Sequence, residues 1–236
     1  MNESLNIISL PRLAVGLIPA LIAIAIMLRW ALNAKTGLYA ITRMLLQLLV
    51  IGYFLAFIFE TEQSAIVVLV LAVMLGAACW ISMRPVVDRQ PQLYLHAFIA
   101  ISLGGVATLV LVTGFVLEIR PWLSPRHVIP LAGMIFASSM NAVSLAAERL
   151  EAEFRTGKSY DEAKGTALNA ALIPIINSLF AVGLVSLPGM MTGQILSGTS
   201  PLVAARYQIV VMCMLFGASG ISAAIYLALG RANSMR

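Results

Sequence analysis

Seven long apolar stretches, separated by short polar or proline-containing segments, dominate this sequence. Each has close to the roughly 20 predominantly apolar residues that a helix needs to cross the hydrocarbon core of a bilayer. The stretches are continuously apolar and do not alternate with a period of two, which favours helices over the strands of a barrel. We therefore predict an all-α polytopic membrane protein with about seven transmembrane helices, at residues 10–28, 41–59, 64–82, 97–117, 128–147, 168–187 and 207–229.

The composition excludes several classes of protein. Of the 236 residues, 61% are hydrophobic and only 11% are charged, whereas an ordinary soluble domain has roughly 25% charged residues. A soluble globule of this length could not cover so much apolar surface. The chain is therefore not expected to be a soluble enzyme, a disordered chain or a nucleic-acid-binding protein, and a lipid bilayer is its expected surrounding. Cys79 and Cys213 each lie within an apolar stretch, which is typical of small buried side chains and not of a disulfide.

The placement of Lys and Arg predicts the orientation, because cytoplasmic loops carry an excess of these residues. The first ten residues contain neither, whereas three follow the first apolar stretch. We therefore predict an outer N-terminus, a cytoplasmic C-terminus and a location in the cell inner (plasma) membrane. The net charge of +5 is then mainly an orientation signal. This topology places four basic residues outside (Arg12, Arg120, Arg126, Arg206) and eleven inside (Arg29, Lys35, Arg43, Arg84, Arg89, Arg149, Arg155, Lys158, Lys164, Arg231, Arg236).

The segment at residues 188–205 does not have the pattern of a spanning helix. Residues that disfavour helical structure interrupt it at five positions: Pro188, Gly189, Gly193, Gly198 and Pro201. We expect a broken, re-entrant or surface-lying segment on the outer side, with Pro188, Gly189 and Gly193 as hinges of a gate. Irregular backbone of this kind is tolerated at membrane depth only where protein or water covers it. Apart from this segment, residues 1–236 are expected to form a single transmembrane domain.

The longest hydrophilic stretch, at residues 148–164, lies on the predicted cytoplasmic side. It contains five of the ten acidic and four of the fifteen basic residues. Residues 148–156 are strong helix formers. Two interpretations remain open. The stretch is either a solvated extension of the fifth span or a helix that docks a cytoplasmic partner.

A short motif in this stretch favours docking. Glu151-Ala152-Glu153, followed after three residues by Gly157, resembles the EAA-xxx-G loop of ATP-binding cassette (ABC) transporter permeases. The resemblance implies that residues 148–167 form a coupling loop that seats in a groove of the ATPase subunit. The loop of that family closes with an apolar–Pro element, here Ile173-Pro174. The chain departs from the family pattern in having Glu153 in place of Ala, and in a longer gap before Pro174.

A wider resemblance covers the C-terminal half. Residues 134–153, 171–212 and 216–220, which include the run LVSLPGMMTGQILSG, resemble the FetB-type iron export permeases and their plant aluminium-tolerance relatives. The resemblance implies the membrane subunit of an ABC transporter that exports iron or a related metal or chelate. It also implies a separate cytoplasmic ATPase subunit, which binds ATP and Mg²⁺, and a permease homodimer. This chain is then expected to bind no cofactor itself.

Polar residues within the spans are candidates for a substrate pathway, because lipid offers them no hydrogen-bond partner. In the fifth span Ser138, Asn141 and Glu148 share one helical face at 100° per residue, and Asn177 follows Pro174 in the sixth. Packing between helices explains the same pattern, and Glu148 also fits the cytoplasmic interface. Pro174 is a candidate hinge. In the outer segment three further residues are pathway candidates: Met190, Met191 and Gln194.

The sequence does not identify the substrate. It has no dense cluster of His, Cys, Asp and Glu, so no residue is assigned to a metal by spacing. An ATP-independent carrier and a permease for an organic substrate remain alternatives. A membrane-embedded enzyme is not favoured. Ser219 lies in a Gly-x-Ser-Gly sequence, but a nucleophilic serine needs a nearby base, and the two histidines, His96 and His127, lie far from it in the predicted topology.

We predict that Lys158 and Arg236 both face the cytoplasm, because the basic residues are concentrated on that side. Reporter fusions or cysteine labelling at the two positions measure this directly. A signal from the outer side at Lys158 would overturn the predicted topology.

Overall fold

The computed structural model describes residues 9–60, 63–87 and 90–234, which fold into helices joined by short turns. This confirms the predicted all-α, polytopic fold class. Residues Ser102–Val106 and Val112–Val116 form two π-helical turns within the fourth predicted span. The α-helices are α1 (Leu10–Gly16), α2 (Ile18–Arg29), α3 (Ala34–Glu60), α4 (Ser64–Ser82), α5 (Pro91–Ile101), α6 (Ala107–Leu111), α7 (Pro125–Arg155), α8 (Tyr160–Ala181), α9 (Gly189–Leu196) and α10 (Pro201–Ser234).

Among the described residues, six segments are long and apolar enough to cross a membrane: Pro11–Arg29, Ala34–Leu55, Ser64–Ser82, Pro91–Val116, Pro125–Arg155 and Pro201–Gly230. The predicted sixth span, which corresponds to α8, is not in this set. Its charged first turns and its two asparagines lower its hydropathy, and it ends at Ala181 and not at residue 187. Residues 165–181 extend for about 26 Å as a helix, slightly less than the hydrocarbon thickness. The predicted orientation depends on whether α8 crosses the membrane, and it stays a prediction.

The chain divides after Glu60 into two compact units. In the first unit, the predicted first span is interrupted at Leu17, between α1 and α2. Pro19 has no amide hydrogen to donate to the carbonyl of Val15, so the helical hydrogen bonding is broken just before it. Helices α2 and α3 pack closely, since a Cβ atom on Gly37 would lie 2.7 Å from Ile24 Cδ1.

Helix α7 is the centre of the second unit, where it packs against α4, α8 and α10. Its buried side is rich in small residues, such as Ala132, Ala142 and Ala146, which allow neighbouring backbones to approach closely. Ser139 Oγ on this side donates to the Ala218 carbonyl of α10 at 3.3 Å. A hydroxyl that would be costly in lipid is thus satisfied inside the bundle.

The first π turn widens the backbone of the fourth span where it packs on α10. Thr108 Oγ1 donates to the Gly104 carbonyl at 2.6 Å, and Thr113 Oγ1 donates to the Leu109 carbonyl at 2.8 Å. Gly104 is buried directly against Ser222 of α10: a Cβ atom here would overlap Ser222 Oγ and lie 2.9 Å from its backbone nitrogen. Only glycine therefore allows this approach of the two helices.

The outer segment is more regular than the sequence predicts. The chain breaks at Pro188, which precedes α9, and again at residues 197–200, where Gly198 has a φ of 96°. Gly193, however, lies in the middle of α9, so the predicted break at this residue is wrong. Pro201 begins α10 and does not interrupt it, because proline fits the first turn of a helix. Whether the segment is re-entrant, and whether its hinges move, stays a prediction.

We predict that Gly104→Ala destabilises the protein by about 1–3 kcal/mol, because the added methyl group overpacks the contact with Ser222. Thermal unfolding in detergent measures the effect. Gly76→Ala on α4 is the matched control, since no atom lies within 4 Å of its Cβ position. It is expected to be neutral or slightly stabilising. Equal melting temperatures for both variants would contradict the packing described above.

Candidate functional site: the charged hairpin

The charged end of α7, the short connection after it and the start of α8 form a helix–turn–helix element, here called the charged hairpin (residues 148–164). The predicted helix over residues 148–156 is confirmed, since α7 ends at Arg155. Gly157 then adopts a φ of 80°. Its N–H donates to the Phe154 carbonyl at 3.0 Å, and the Lys158 N–H donates to the Glu153 carbonyl at 3.4 Å. This pair of bonds stops the helix at a left-handed residue, so the motif glycine has a backbone role.

Helix α8 begins immediately afterwards with a capping box. The Ser159 hydroxyl and backbone N–H both donate to Glu162 Oε2, at 2.7 and 3.2 Å. These bonds, the hydroxyl first, hold the pKa of Glu162 below its usual range. Because the folded-state pKa is lowered, the stabilisation is present above the unfolded value of about 4.3 and is lost as the pH falls through the folded value. The cap is therefore intact at neutral pH.

Glu153 is buried in the hairpin, with only 4% of its surface exposed. Its carboxylate pairs with Arg149 Nη2 and with Lys158 Nζ, each at 2.5 Å. The two cations supply the compensation that a buried carboxylate requires. Glu153, which departs from the EAA pattern, thus joins Arg149 in α7 to Lys158, the residue after the helix-ending Gly157.

Glu151 also makes contacts within the chain. Its Oε1 accepts from Arg155 Nη2 at 2.6 Å, and its Oε2 accepts from the backbone N–H of Val87 at 3.1 Å. Ala152 between the two acids is half-buried. Both acidic residues of the motif therefore stabilise the shape of this end of the bundle.

The surface that the hairpin presents to its surroundings comes from the residues after the motif acids. Phe154 is 38% exposed although it lies in a hydrophilic stretch, and its ring centroid is 6.1 Å from that of Tyr160. Arg155, Thr156, Gly157 and Lys158 are also exposed. Sequence reasoning missed Phe154. The available signal was an aromatic residue, Phe154, within a charged run that is otherwise hydrophilic up to Tyr160.

The predicted closing element of the coupling loop is wrong in its position. Ile173 and Pro174 lie inside α8, about four turns after its start, and the connection between α7 and α8 ends at Ser159. The capping box starts the helix early, which explains the longer gap. Pro174 does not interrupt α8, and Ser178 Oγ donates to its carbonyl at 2.9 Å. Its role as a hinge stays a prediction.

The structure separates the predicted pathway residues into two groups. Ser138 Oγ lies 2.7 Å from Ser219 Oγ of α10, inside the bundle. Asn141, Glu148 and Asn177 are exposed on α7 and α8. Ser138 thus makes a contact between α7 and α10, whereas the other three lie on the surface of α7 and α8.

The three candidates of the outer segment all lie in α9. Met190 is exposed, Met191 is half-buried, and Gln194 Oε1 is a buried atom with no hydrogen-bond partner. Within residues 9–60, 63–87 and 90–234, no three His, Cys, Asp or Glu side chains are close enough to hold a metal ion. No residue is assigned to metal binding.

Comparisons with known proteins agree with this architecture. A "UPF0014 membrane protein" of Synechocystis sp. is 39% identical over 219 residues, 85% of this chain and 83% of that protein. The Escherichia coli "Probable iron export permease protein FetB" is 31% identical, covering 81% of this chain and 78% of that protein. "Protein ALUMINUM SENSITIVE 3" of Arabidopsis thaliana is 32% identical, covering 85% of this chain and 79% of that protein.

No solved structure matches the chain. The family described as "Uncharacterised protein family (UPF0014)" matches residues 10–164 and 156–235, which together span nearly all of the sequence. With its apolar spanning helices and these relatives, the chain is a membrane protein of the UPF0014 family.

Proposed function

We propose that this protein is the permease subunit of an ABC transporter and that it exports iron, or a related metal or metal chelate, across the cell inner membrane. The observation that carries the proposal is the charged hairpin, which is capped at both helix ends and presents Phe154 beside Gly157. A rigid, exposed element of this kind suits docking onto a second protein. The name of the E. coli relative supplies the transport class and the substrate.

The hairpin docks in this proposal onto a separate cytoplasmic ATPase subunit, which binds ATP and Mg²⁺. Residues Glu151 to Gly157 form the coupling segment, in which the two acids keep the shape and Phe154 to Lys158 make the contact. Two permease copies form a homodimer around the pathway, as a two-fold arrangement of two ATPase subunits requires. Closure of the ATPase subunits then shifts the spans between inward-open and outward-open states.

The pathway is proposed to run along the exposed polar face of α7 and α8. Asn141 and Asn177 are both exposed, and a polar side chain at membrane depth that faced lipid would lack hydrogen-bond partners. The dimer interface gives both residues a polar surrounding. Residues Gly189 to Gln194 are proposed to close the outer end.

We predict that Phe154→Ala weakens complex formation with the ATPase about tenfold or more, because an exposed aromatic contact is lost. Co-purification and a titration of ATPase subunit against permease in detergent measure it. Phe115→Ala is the matched control, since Phe115 is 79% exposed at the far end of the fourth span. Equal affinities for the two variants and the parent would contradict the docking site.

We predict that Gly157→Val uncouples ATP hydrolysis from transport while the protein still inserts in the membrane. A β-branched residue is strained at a φ of 80° and would displace the tip of the hairpin, at a cost of about 1–2 kcal/mol. Transport per ATP hydrolysed is the measurement. Gly165→Val in α8 is the control, since its Cβ position is open and its φ is not positive. Undiminished coupling in Gly157→Val would refute the assignment.

We predict that Asn141→Leu and Asn177→Leu abolish transport more than they lower stability, because a buried isosteric apolar group needs no hydrogen-bond partner. Cysteines at the two positions, in a background with the exposed Cys213 replaced by Ser, should react with a water-soluble thiol reagent. Their reactivity should change when ATP is added to the complex. A cysteine at Leu69, 64% exposed in α4, is the lipid-facing control.

If both asparagine positions stay as unreactive as position 69 in every nucleotide state, the pathway lies elsewhere. Transport of iron by the reconstituted permease without any ATPase would instead favour the ATP-independent carrier. ATPase stimulation by organic compounds, with none by iron, would favour an organic substrate.

A further inference from the structure

We infer that Glu151 is a positioning residue that links the end of α7 to the turn at residues 83–87, which follows α4, so that movement of the charged hairpin reaches the fourth span. The inference rests on the proposed function in one respect, since the ATPase is what would move the hairpin. The contacts of Glu151 lie within this chain and do not depend on the ATPase. It assigns to a motif residue a role that differs from direct contact with the ATPase.

The geometry of Glu151 points into the protein. Its side chain is about one-fifth exposed, and each carboxylate oxygen already has a partner: Arg155 Nη2 at 2.6 Å and the Val87 N–H at 3.1 Å. Val87 is 64 residues away in sequence, so the second bond connects two separate parts of the chain. A backbone N–H bonded to a carboxylate is a charge-assisted bond, roughly twice as strong as a neutral one. Glu151 therefore directs both carboxylate oxygens to partners within the chain, and only about one-fifth of its side chain is exposed to an external partner.

The turn at residues 83–87, which Glu151 contacts, also packs against α10. Met83 is completely buried at the end of α4, and Tyr226 of α10 directs its hydroxyl at Met83 Sδ, 3.7 Å away. Val86 is buried in the core cluster. Residues 83–87 thus touch α10 at one end and α7 at the other. A shift of α7 that kept the Glu151 bond would move Val87 with it.

The fourth span begins four residues after Val87 in the sequence. Helix α5 starts at Pro91 and leads into the π turn at Ser102–Val106, where Gly104 abuts Ser222 of α10. A π turn holds an extra residue in the helix, and such turns are frequent at functional sites and at helix kinks. The route therefore runs from the hairpin through Glu151 and Val87 to α5, and it ends at a packing contact with α10.

Three variants separate this role from the alternatives. Glu151→Ala removes both bonds. Glu151→Gln retains an amide oxygen for the Val87 N–H, and Arg155→Gln removes the ion pair while it leaves the carboxylate in place. Hydrogen exchange, resolved to the Val87 amide and across residues 91–98, is measured on each purified full-length permease in detergent. We expect exchange at Val87 to become about tenfold faster or more in Glu151→Ala. The other two variants should stay within about threefold of the parent, and residues 91–98 should follow Val87.

The second measurement uses the permease reconstituted with its ATPase. Glu151→Ala should lower transport per ATP hydrolysed at least about fivefold while complex formation is unchanged, and Glu151→Gln should restore most of it. Unchanged exchange at Val87 in Glu151→Ala would overturn the inference. So would loss of complex formation in that variant, which would make Glu151 an ATPase contact, or unchanged coupling.

Failure of the proposed function leaves a distinct signature. If no ATPase associates with the parent permease, the proposed function fails, and hydrogen exchange alone tests the link through Glu151. Faster exchange at both Val87 and residues 91–98 in Glu151→Ala then supports the link, and unchanged exchange at residues 91–98 overturns it.

Discussion

The absence of water from the bilayer core is the constraint on which this structure depends. Every backbone donor and acceptor in the core must be satisfied within the chain, and only continuous helices do this one segment at a time. Charged side chains are therefore costly within the spans. Helix α7 shows the consequence, since its 31 residues pass without a break from an apolar, small-residue stretch to the charged hairpin. The charged end and the apolar stretch thus belong to one continuous helix.

The charged hairpin divides its residues between shape and contact. Glu153 is buried between Arg149 and Lys158, and Glu151 binds Arg155 and the backbone N–H of Val87. Gly157 ends the helix. Phe154 and the short basic tip that follows it are exposed. A motif that reads as an acidic docking sequence thus uses its acids internally. The physical reason is that a mostly buried carboxylate needs compensation close by, and the neighbouring basic residues and backbone N–H supply it.

A similar division applies to the polar residues within the spans. Ser138 and Ser139 are satisfied by α10, at Ser219 and at the Ala218 carbonyl. Asn141 and Asn177, in contrast, are exposed on the surface of the second unit. The contrast favours a packing role for the serines and a surface role for the asparagines. Helical periodicity could not make this distinction, because it places Ser138 close to Asn141 on one face without stating where that face ends.

The sequence by itself determined the all-α membrane class, the apolar core of most spans and the helix over residues 148–156, because hydrophobicity over some 20 residues and local helix propensity are properties of neighbouring residues. It also placed the break at Pro188, since proline acts on its own backbone. The tertiary structure alone decided the π turns, the fit of Gly104 to Ser222, the early end of α8 and the partners of Glu151 and Glu153. Val87 and Glu151 are 64 residues apart, and no local pattern specifies which helices bring such residues together.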